Sequence, residues 1–140
     1  MPKAFSSEEE RNAFLAEPRL AILNTNRPGD TPLAVPVWYE WTGSEILMFS
    51  GKSVPKLKRI EQDPKVQVLV TNRVGEPEAW VSFEGEMEIC LEEDPWPLIE
   101  RIAPRYWDVE AMREVLDEWQ AGKEHMVVLR MTPARIRDGR

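Results

Sequence analysis

Four basic side chains lie close together near the middle of this sequence. Lys52, Lys56, Lys58 and Arg59 occur in segment 52–59 with no acidic residue among them. The 140-residue chain as a whole is acidic, with a formal net charge of −7. We interpret this basic cluster as a binding site for a phosphate group. The alternative interpretation is a solvated helix face whose lysines balance nearby acids.

A strand, a turn, a short helix and a second strand must position this basic cluster. The apolar segment Glu45–Ser50 is typical of a buried strand, and Gly51 ends it. Pro55 favours the first turn of a helix, where its missing N–H is not needed. Asp63-Pro64 ends that helix, and the alternating valines of Val66–Val70 predict the second strand.

Several donors for an anion should meet where the predicted helix begins. The N-terminus of a helix presents free N–H groups and the positive end of the helix dipole. Ser50 and Ser53 add hydroxyl donors, and Ser53 is placed to cap the helix. Lys52 and Lys56 add full positive charges, and Gly51 allows a close approach of the backbone.

The composition excludes several other classes of function. A single cysteine, Cys90, rules out an internal disulfide framework and indicates a reducing, cytoplasmic location. The N-terminus has no apolar core like that of a signal peptide, and no apolar run could span a bilayer. The acidic balance argues against nucleic acid as a partner. With His125 as the only histidine and no paired cysteines, we expect no metal site and identify no catalytic residue.

The order of the predicted elements favours a mainly β, α+β fold in one domain over residues 1–140. A long second strand is expected over Pro32–Trp41, an alternating strand over Ala79–Ile89, and a last strand over His125–Thr132. The segment Pro133–Arg140 is expected to be a charged tail. About six strands joined by short turns predict antiparallel hairpins that form a barrel with peripheral helices.

Tryptophan is frequent, and its placement leaves questions open. The chain has six tryptophans. Trp80 shares the polar face of its strand with Ser82, so a ligand, a second subunit or a neighbouring strand should cover that end. Trp96, Trp107 and Trp119 could each face a pocket, a partner or a core.

Three segments in this order resemble a known family. The segments AVPVWY, FSGKSVPKLKRIEQDPKVQVLV and VSFEGEMEI, within Phe14–Ile89, resemble the pyridoxamine 5′-phosphate oxidase-like superfamily of FMN-binding split barrels. This resemblance implies a homodimer of six-stranded antiparallel split β-barrels, with a flavin bound between the two subunits.

The resemblance also implies a set of cofactor-binding residues. One strand of the family lines the flavin ring, an aromatic–hydroxyl pair contacts the flavin and its phosphate chain, and a lysine binds the phosphate. In this sequence these residues are, in that order, Val35, Pro36, Val37 and Trp38; Phe49 and Ser50; and Lys56.

Two further site residues depart from the pattern of the oxidase. Pro55 stands where the oxidase has an arginine, and Lys52 is a candidate to replace that arginine as a phosphate partner. Trp80 lies near a flavin-contacting position that is usually glutamine.

The resemblance implies a flavin-dependent oxidoreductase with an unassigned small-molecule substrate. The oxidase itself uses an Arg-x-His pair near its C-terminus, where this chain has Arg135-Ile136-Arg137, so we do not expect pyridoxamine phosphate oxidase activity. FMN is the expected cofactor. Two alternatives on the same fold are a deazaflavin-dependent reductase and a non-catalytic flavin-binding or stress-related protein.

Overall fold

The computed structural model describes residues 4–140. Residues 1–3 of the predicted domain 1–140 lie outside the described residues. The described residues form four α-helices, one short 3₁₀-helix at Lys123–His125, and eight strands. The helices are α1 Glu8–Ala16, α2 Pro55–Gln62, α3 Trp96–Tyr106 and α4 Arg113–Ala121. The strands are β1 Ala21–Thr25, β2 Leu33–Val37, β3 Glu40–Trp41, β4 Ile46–Gly51, β5 Lys65–Thr71, β6 Trp80–Cys90, β7 Met126–Met131 and β8 Arg135–Gly139.

The strands form one curled antiparallel sheet. Their order is β2-β1-β5-β6-β7-β4-β3, and β8 pairs with β6 outside this path. The long strand β6 has different neighbours along its length. Its first half pairs with β5 and β8, whereas Met87 to Cys90 pair with β7. The sheet thus curls into a split barrel with helices outside it, and this architecture confirms the predicted fold class.

The change of neighbour along β6 occurs at Gly85. A Cβ atom at this position would lie 3.0 Å from the Met131 sulfur and 3.1 Å from the Thr132 carbonyl oxygen. The Ala134 N–H donates to the Glu84 carbonyl at 2.8 Å, which brings the chain after β7 against β6. Glycine therefore suits this position, because a side chain there would crowd Met131 and the chain that follows β7.

The predicted number of strands, about six, is wrong, because the described residues form eight strands. The expected strand Pro32–Trp41 is two strands, β2 and β3, separated at Trp38 and Tyr39. The chain leaves the ladder there because the buried Tyr39 hydroxyl donates to the Leu15 carbonyl at 2.9 Å. The expected tail Pro133–Arg140 contains β8. Its charged residues pair with the free edge of β6, which no pattern within the tail reveals.

The barrel interior is filled by one face of each strand. Alternation along β5 places Val66, Val68 and Val70 inside, and β6 contributes Val81 and Phe83. Strand β2, which carries Pro36, pairs with β1 alone within residues 4–140. This edge position suits a strand proline, which has no N–H to donate to a second neighbouring strand.

Helices α3 and α4 connect β6 to β7 and pack outside the barrel. Leu98 and Ile102 of α3 pack against Leu47 and Val128 of the sheet. Helix α3 continues through Pro104, which has no N–H to donate to the Glu100 carbonyl. Pro104 and Glu100 both face solvent. In the described part of the chain, no helix is long and apolar enough to cross a membrane.

A buried arginine fastens α1 to the loop between β5 and β6. Arg19 is 4% exposed, and its guanidinium donates to Glu76 at 2.6 Å and to the Phe14 carbonyl at 3.0 Å. The hydrogen bonds from the Arg19 side chain and the Arg73 backbone N–H lower the pKa of Glu76 from 4.5 to about 2. Glu76 therefore stabilises the fold in its ionised form.

We expect Glu76→Gln to lower the thermal midpoint at pH 7, because Arg19 loses its carboxylate partner. A depressed pKa contributes stability above the unfolded value, and this contribution is lost as the pH falls from about 4.5 towards 2. The variant and the unmodified protein should therefore converge over that range. Thermal or urea unfolding at pH 7 and pH 3 measures this difference.

The matched control for this prediction is Glu78→Gln, which removes an exposed carboxylate from the same loop. It should leave the midpoint unchanged at both pH values. A deficit for Glu76→Gln that is equally large at pH 3 and pH 7 would contradict the assigned role of its charge.

Candidate active site

Helix α2 begins as predicted at Pro55 but without the expected serine cap. Its N-cap residue is Val54, which makes no side-chain hydrogen bond. The expectation that Ser53 caps the helix is wrong, because the helix begins too late for this exposed serine to serve as its N-cap. Ser50 is 6% exposed, and its hydroxyl donates to the Gly51 carbonyl at 3.2 Å.

The lysines of the basic cluster have no acidic partners in the part of the chain that the structure describes. Other basic residues do, as shown by Arg101 with Glu40 at 2.9 Å and Lys123 with Asp94 at 3.2 Å. Arg59 donates instead to the Thr25 hydroxyl at 2.8 Å. The cluster therefore does not balance nearby acids, and its positive charge is available to an external anion.

Lys56 is the least exposed lysine of this cluster. Burial lowers the pKa of its ammonium group, and the positive charge of Arg59 lowers it further. Both effects disfavour the charged form in the protein alone. A bound anion would act in the opposite direction, because an opposite charge stabilises the ammonium.

Lys56 lines a cleft of about 370 Å³, which we call the Lys56 cleft. The other residues that line it are apolar: Leu20, Pro36, Val37, Trp38, Phe49, Trp107 and Trp119. Strands β2 and β4 and helices α2 and α4 contribute to it, together with Leu20 just before β1 and Trp107 just after α3. It can accept a flat apolar group that carries a negative charge, since Lys56 is the only charged lining residue among those described.

An aromatic cluster forms one wall of the Lys56 cleft. The Trp38 ring stacks on Tyr106 at 5.0 Å between centroids and lies perpendicular to Trp107 at 4.7 Å. Trp119 packs against Trp107 at 5.1 Å and against Phe49 at 5.8 Å. The Tyr106 hydroxyl donates to a backbone carbonyl at 2.7 Å, which fixes the ring on which Trp38 stacks.

Two of the three tryptophans left open by the sequence line this cleft. Trp107 follows α3 and Trp119 lies on α4, and both meet Trp38 because the two helices pack beside β4. Trp96 packs instead within the α3–α4 cluster. The high tryptophan count was the only sequence signal for this wall, since periodicity does not show what a helix packs against.

Trp80 lies in a second cleft of about 680 Å³, which we call the Trp80 cleft. Its other lining residues are Gln67, Leu69, Thr71, Ser82, Glu84 and Arg137. Ser82 is 3% exposed and accepts a hydrogen bond from the Gln67 amide at 3.0 Å. Strand β5 thus covers Ser82, and a neighbouring strand was one of the three alternatives that the sequence left open.

Both clefts open on the same outer face of the sheet. Ala21 pairs with Val70 and Val70 with Val81, and all three side chains are buried. The residues next to them along their strands therefore point outward. Leu20, which is 54% exposed, and Trp80 lie on that outer face, so the Lys56 and Trp80 clefts are two parts of one surface.

Four other predicted site residues do not line the Lys56 cleft. Val35 packs against the barrel core, and Ser50 is buried at the end of β4. Lys52 and Pro55 are exposed at the start of α2. The residues brought together in the cleft are Pro36, Val37, Trp38, Phe49 and Lys56.

The remaining reactive residue types, His125 and Cys90, do not line the Lys56 cleft. His125 is exposed and lies 3.4 Å from Glu124. Burial raises the pKa of the Cys90 thiol, which keeps it protonated. Among residues 4–140, no three histidine, cysteine or acidic side chains are grouped to hold a metal ion.

We expect Lys56→Met to stabilise the cofactor-free protein. The substitution removes a charge disfavoured by burial and by Arg59 while keeping a long side chain. The free energy of unfolding should rise by about 0.5–1 kcal/mol, the low end of the range for stabilising substitutions, because water screens part of the charge. Urea unfolding measures it, with Lys58→Met on the exposed face of α2 as the control. A clear destabilisation by Lys56→Met alone would contradict this prediction.

Comparison with known proteins identifies relatives of this chain. A family model described as pyridoxamine 5′-phosphate oxidase matches residues 7–138. A solved structure of a conserved hypothetical protein from Mycobacterium tuberculosis is 25% identical, with a TM-score of 0.74, and the match covers 99% of this chain and 87% of that one. None of the curated proteins compared with this chain matches it.

Two further solved structures are similar. A putative pyridoxamine 5′-phosphate oxidase from Listeria innocua is 25% identical, with a TM-score of 0.66 over 94% of this chain and 96% of that one. An F420 reductase is 19% identical, with a TM-score of 0.67 over 98% of each chain, and shares the fold. Because the family model spans nearly all of the described split barrel, this chain belongs to the pyridoxamine 5′-phosphate oxidase family.

Proposed function

We propose that this chain binds FMN in the Lys56 cleft and acts as a flavin-dependent oxidoreductase on a small-molecule substrate or electron donor. The observation that carries the proposal is the environment of Lys56. Its ammonium group is partly buried among aromatic side chains and has no carboxylate partner in the described chain. An anionic cofactor with a flat ring satisfies both features of this cleft.

The residues of the site would have distinct roles toward FMN. Lys56 would neutralise the phosphate, assisted by Lys52 from the turn before α2 and by Ser50. The strand segment Val35–Trp38 and Phe49 would line the ring and exclude water. FMN itself supplies the redox chemistry when bound, while the protein contributes orientation and electrostatics.

We further propose that the functional unit is a homodimer. Leu20, Pro36 and Trp80 lie at clefts on the outer sheet face, which a second copy could cover. Aromatic and apolar residues are enriched in the centre of such interfaces. With a second copy in place, the Trp80 cleft of one chain can complete the flavin site of the other.

A deazaflavin coenzyme is the first alternative to FMN. Lys52 and Lys58 are exposed and make no ion pair in the described part of the chain, so they could bind a more anionic tail. The similar fold of an F420 reductase is compatible with this alternative. Titrating FMN and the deazaflavin coenzyme into the same cofactor-free protein separates the two by affinity.

A non-catalytic flavin-binding or stress-related protein is the second alternative. Lys56 is the only titratable side chain among the residues described as lining its cleft, so the cleft contains no second proton donor or acceptor. Bound flavin that is reduced but does not transfer electrons to any acceptor tested would favour this alternative.

We expect the purified protein to contain FMN. Its absorption spectrum should have flavin bands, and mass spectrometry of the released small molecule should give the mass of FMN. Colourless protein that fails to bind added FMN would contradict the proposed function.

We expect Lys56→Glu to abolish FMN binding, because the substitution places a negative charge where the phosphate should bind. Lys58→Glu makes the same charge change on an exposed position of α2 and should lower the affinity only slightly. Isothermal titration with FMN measures both. Equal affinities of Lys56→Glu and the unmodified protein would refute the assigned phosphate site.

A further inference from the structure

Gly139, near the end of the chain, lies directly under the indole of Trp80. The two residues pair across β6 and β8, and Gly139 is buried. A Cβ atom at Gly139 would lie 2.6 Å from Trp80 Cζ2 and 2.9 Å from Cε2. Non-bonded carbon atoms do not approach so closely, so any other residue at position 139 would displace the indole.

The position of the indole shapes the Trp80 cleft. The ring lies over the end of β8, while Thr71 is the partner of Trp80 on the β5 side. Leu69 and Thr71 therefore remain open to the cleft of about 680 Å³. A ring displaced from Gly139 would have to move into this space or out into solvent.

The polar groups around the indole suit a flat ring with carbonyl oxygens on one edge. Arg137 lies one alternation along β8 from Gly139, and its Nε is 3.6 Å from Glu84. This ion pair holds the guanidinium beside the cleft, where its remaining N–H groups can donate. The apolar side of the cleft comes from Trp80 and Leu69.

We propose that Gly139 is a positioning residue for ring binding. By leaving room for the indole, it holds Trp80 as an aromatic wall against which the flavin ring binds, and it makes the C-terminal strand part of the site. The inference rests on the proposed function, because the ring is that of the proposed flavin. It adds the Trp80–Gly139 pair of the second copy to the residues that line the ring, Val35–Trp38 and Phe49, while Lys56 binds the phosphate.

The first test measures whether the two residues are coupled. Gly139→Ala should lower the urea midpoint of the unmodified protein but have a much smaller effect in a Trp80→Phe background, where the smaller ring leaves room for the methyl group. Gly122→Ala is the matched control, because a Cβ there meets its nearest atom at an ordinary 3.5 Å. Equal effects of Gly139→Ala in both backgrounds would overturn the inference.

The second test measures ring binding without the phosphate. Lumiflavin carries the flavin ring but no phosphate tail, and its binding and fluorescence quenching can be followed by titration. Gly139→Ala should weaken lumiflavin binding about tenfold or more and reduce the quenching, as expected for the loss of one aromatic–ring contact. Adding Trp80→Phe should restore part of both signals, whereas Lys58→Glu on the exposed face of α2 should leave lumiflavin binding unchanged.

The outcomes distinguish this inference from the proposed function. Lumiflavin binding and quenching that are unchanged in Gly139→Ala would overturn the inference, while FMN binding that depends on Lys56 would still stand. If the unmodified protein binds neither FMN nor lumiflavin, the proposed function fails and the inference fails with it.

Discussion

The shared strand β6 is the constraint on which the rest of this structure depends. Its first half completes one part of the sheet with β5 and β8, and its second half pairs with β7. The neighbour of β6 changes at Gly85, where the absence of a side chain leaves room for the chain after β7. A Cβ atom at Gly85 would lie 3.1 Å from the Thr132 carbonyl oxygen. The barrel is split for this reason, and Trp80 and Cys90 stand at opposite ends of one strand.

The Lys56 cleft depends on the same arrangement, because the two halves of the sheet meet the outer helices there. Helices α3 and α4 leave the end of β6 and return to β7, which brings Trp107 and Trp119 against Trp38. Burial beside these rings disfavours the charge of Lys56, and no carboxylate of the described chain pairs with it. Such an arrangement sacrifices some stability of the free protein for affinity toward an anion.

Much of the site's chemistry could be predicted from the sequence, but its geometry could not. The basic cluster on an acidic chain, the start of α2 at Pro55 and the alternation along β5 and β6 are local patterns, and the structure agrees with each. Ser53 was expected to cap α2, but the helix begins with Val54 as its N-cap. Caps depend on the residue at which a helix starts, and local propensity sets that point only to within one or two residues.

The sequence by itself determined the type of most elements, the family and the charge of the candidate site. Hydrophobic periodicity, turn residues and charge spacing are properties of neighbouring residues, so they can be read without coordinates. Only the tertiary structure decided that Pro133–Arg140 contributes a strand, that Trp107 and Trp119 wall the Lys56 cleft, and that Gly139 lies under Trp80. Each of these contacts joins residues far apart in the chain, and it forms because a free strand edge or an apolar helix face finds its partner only when the sheet curls.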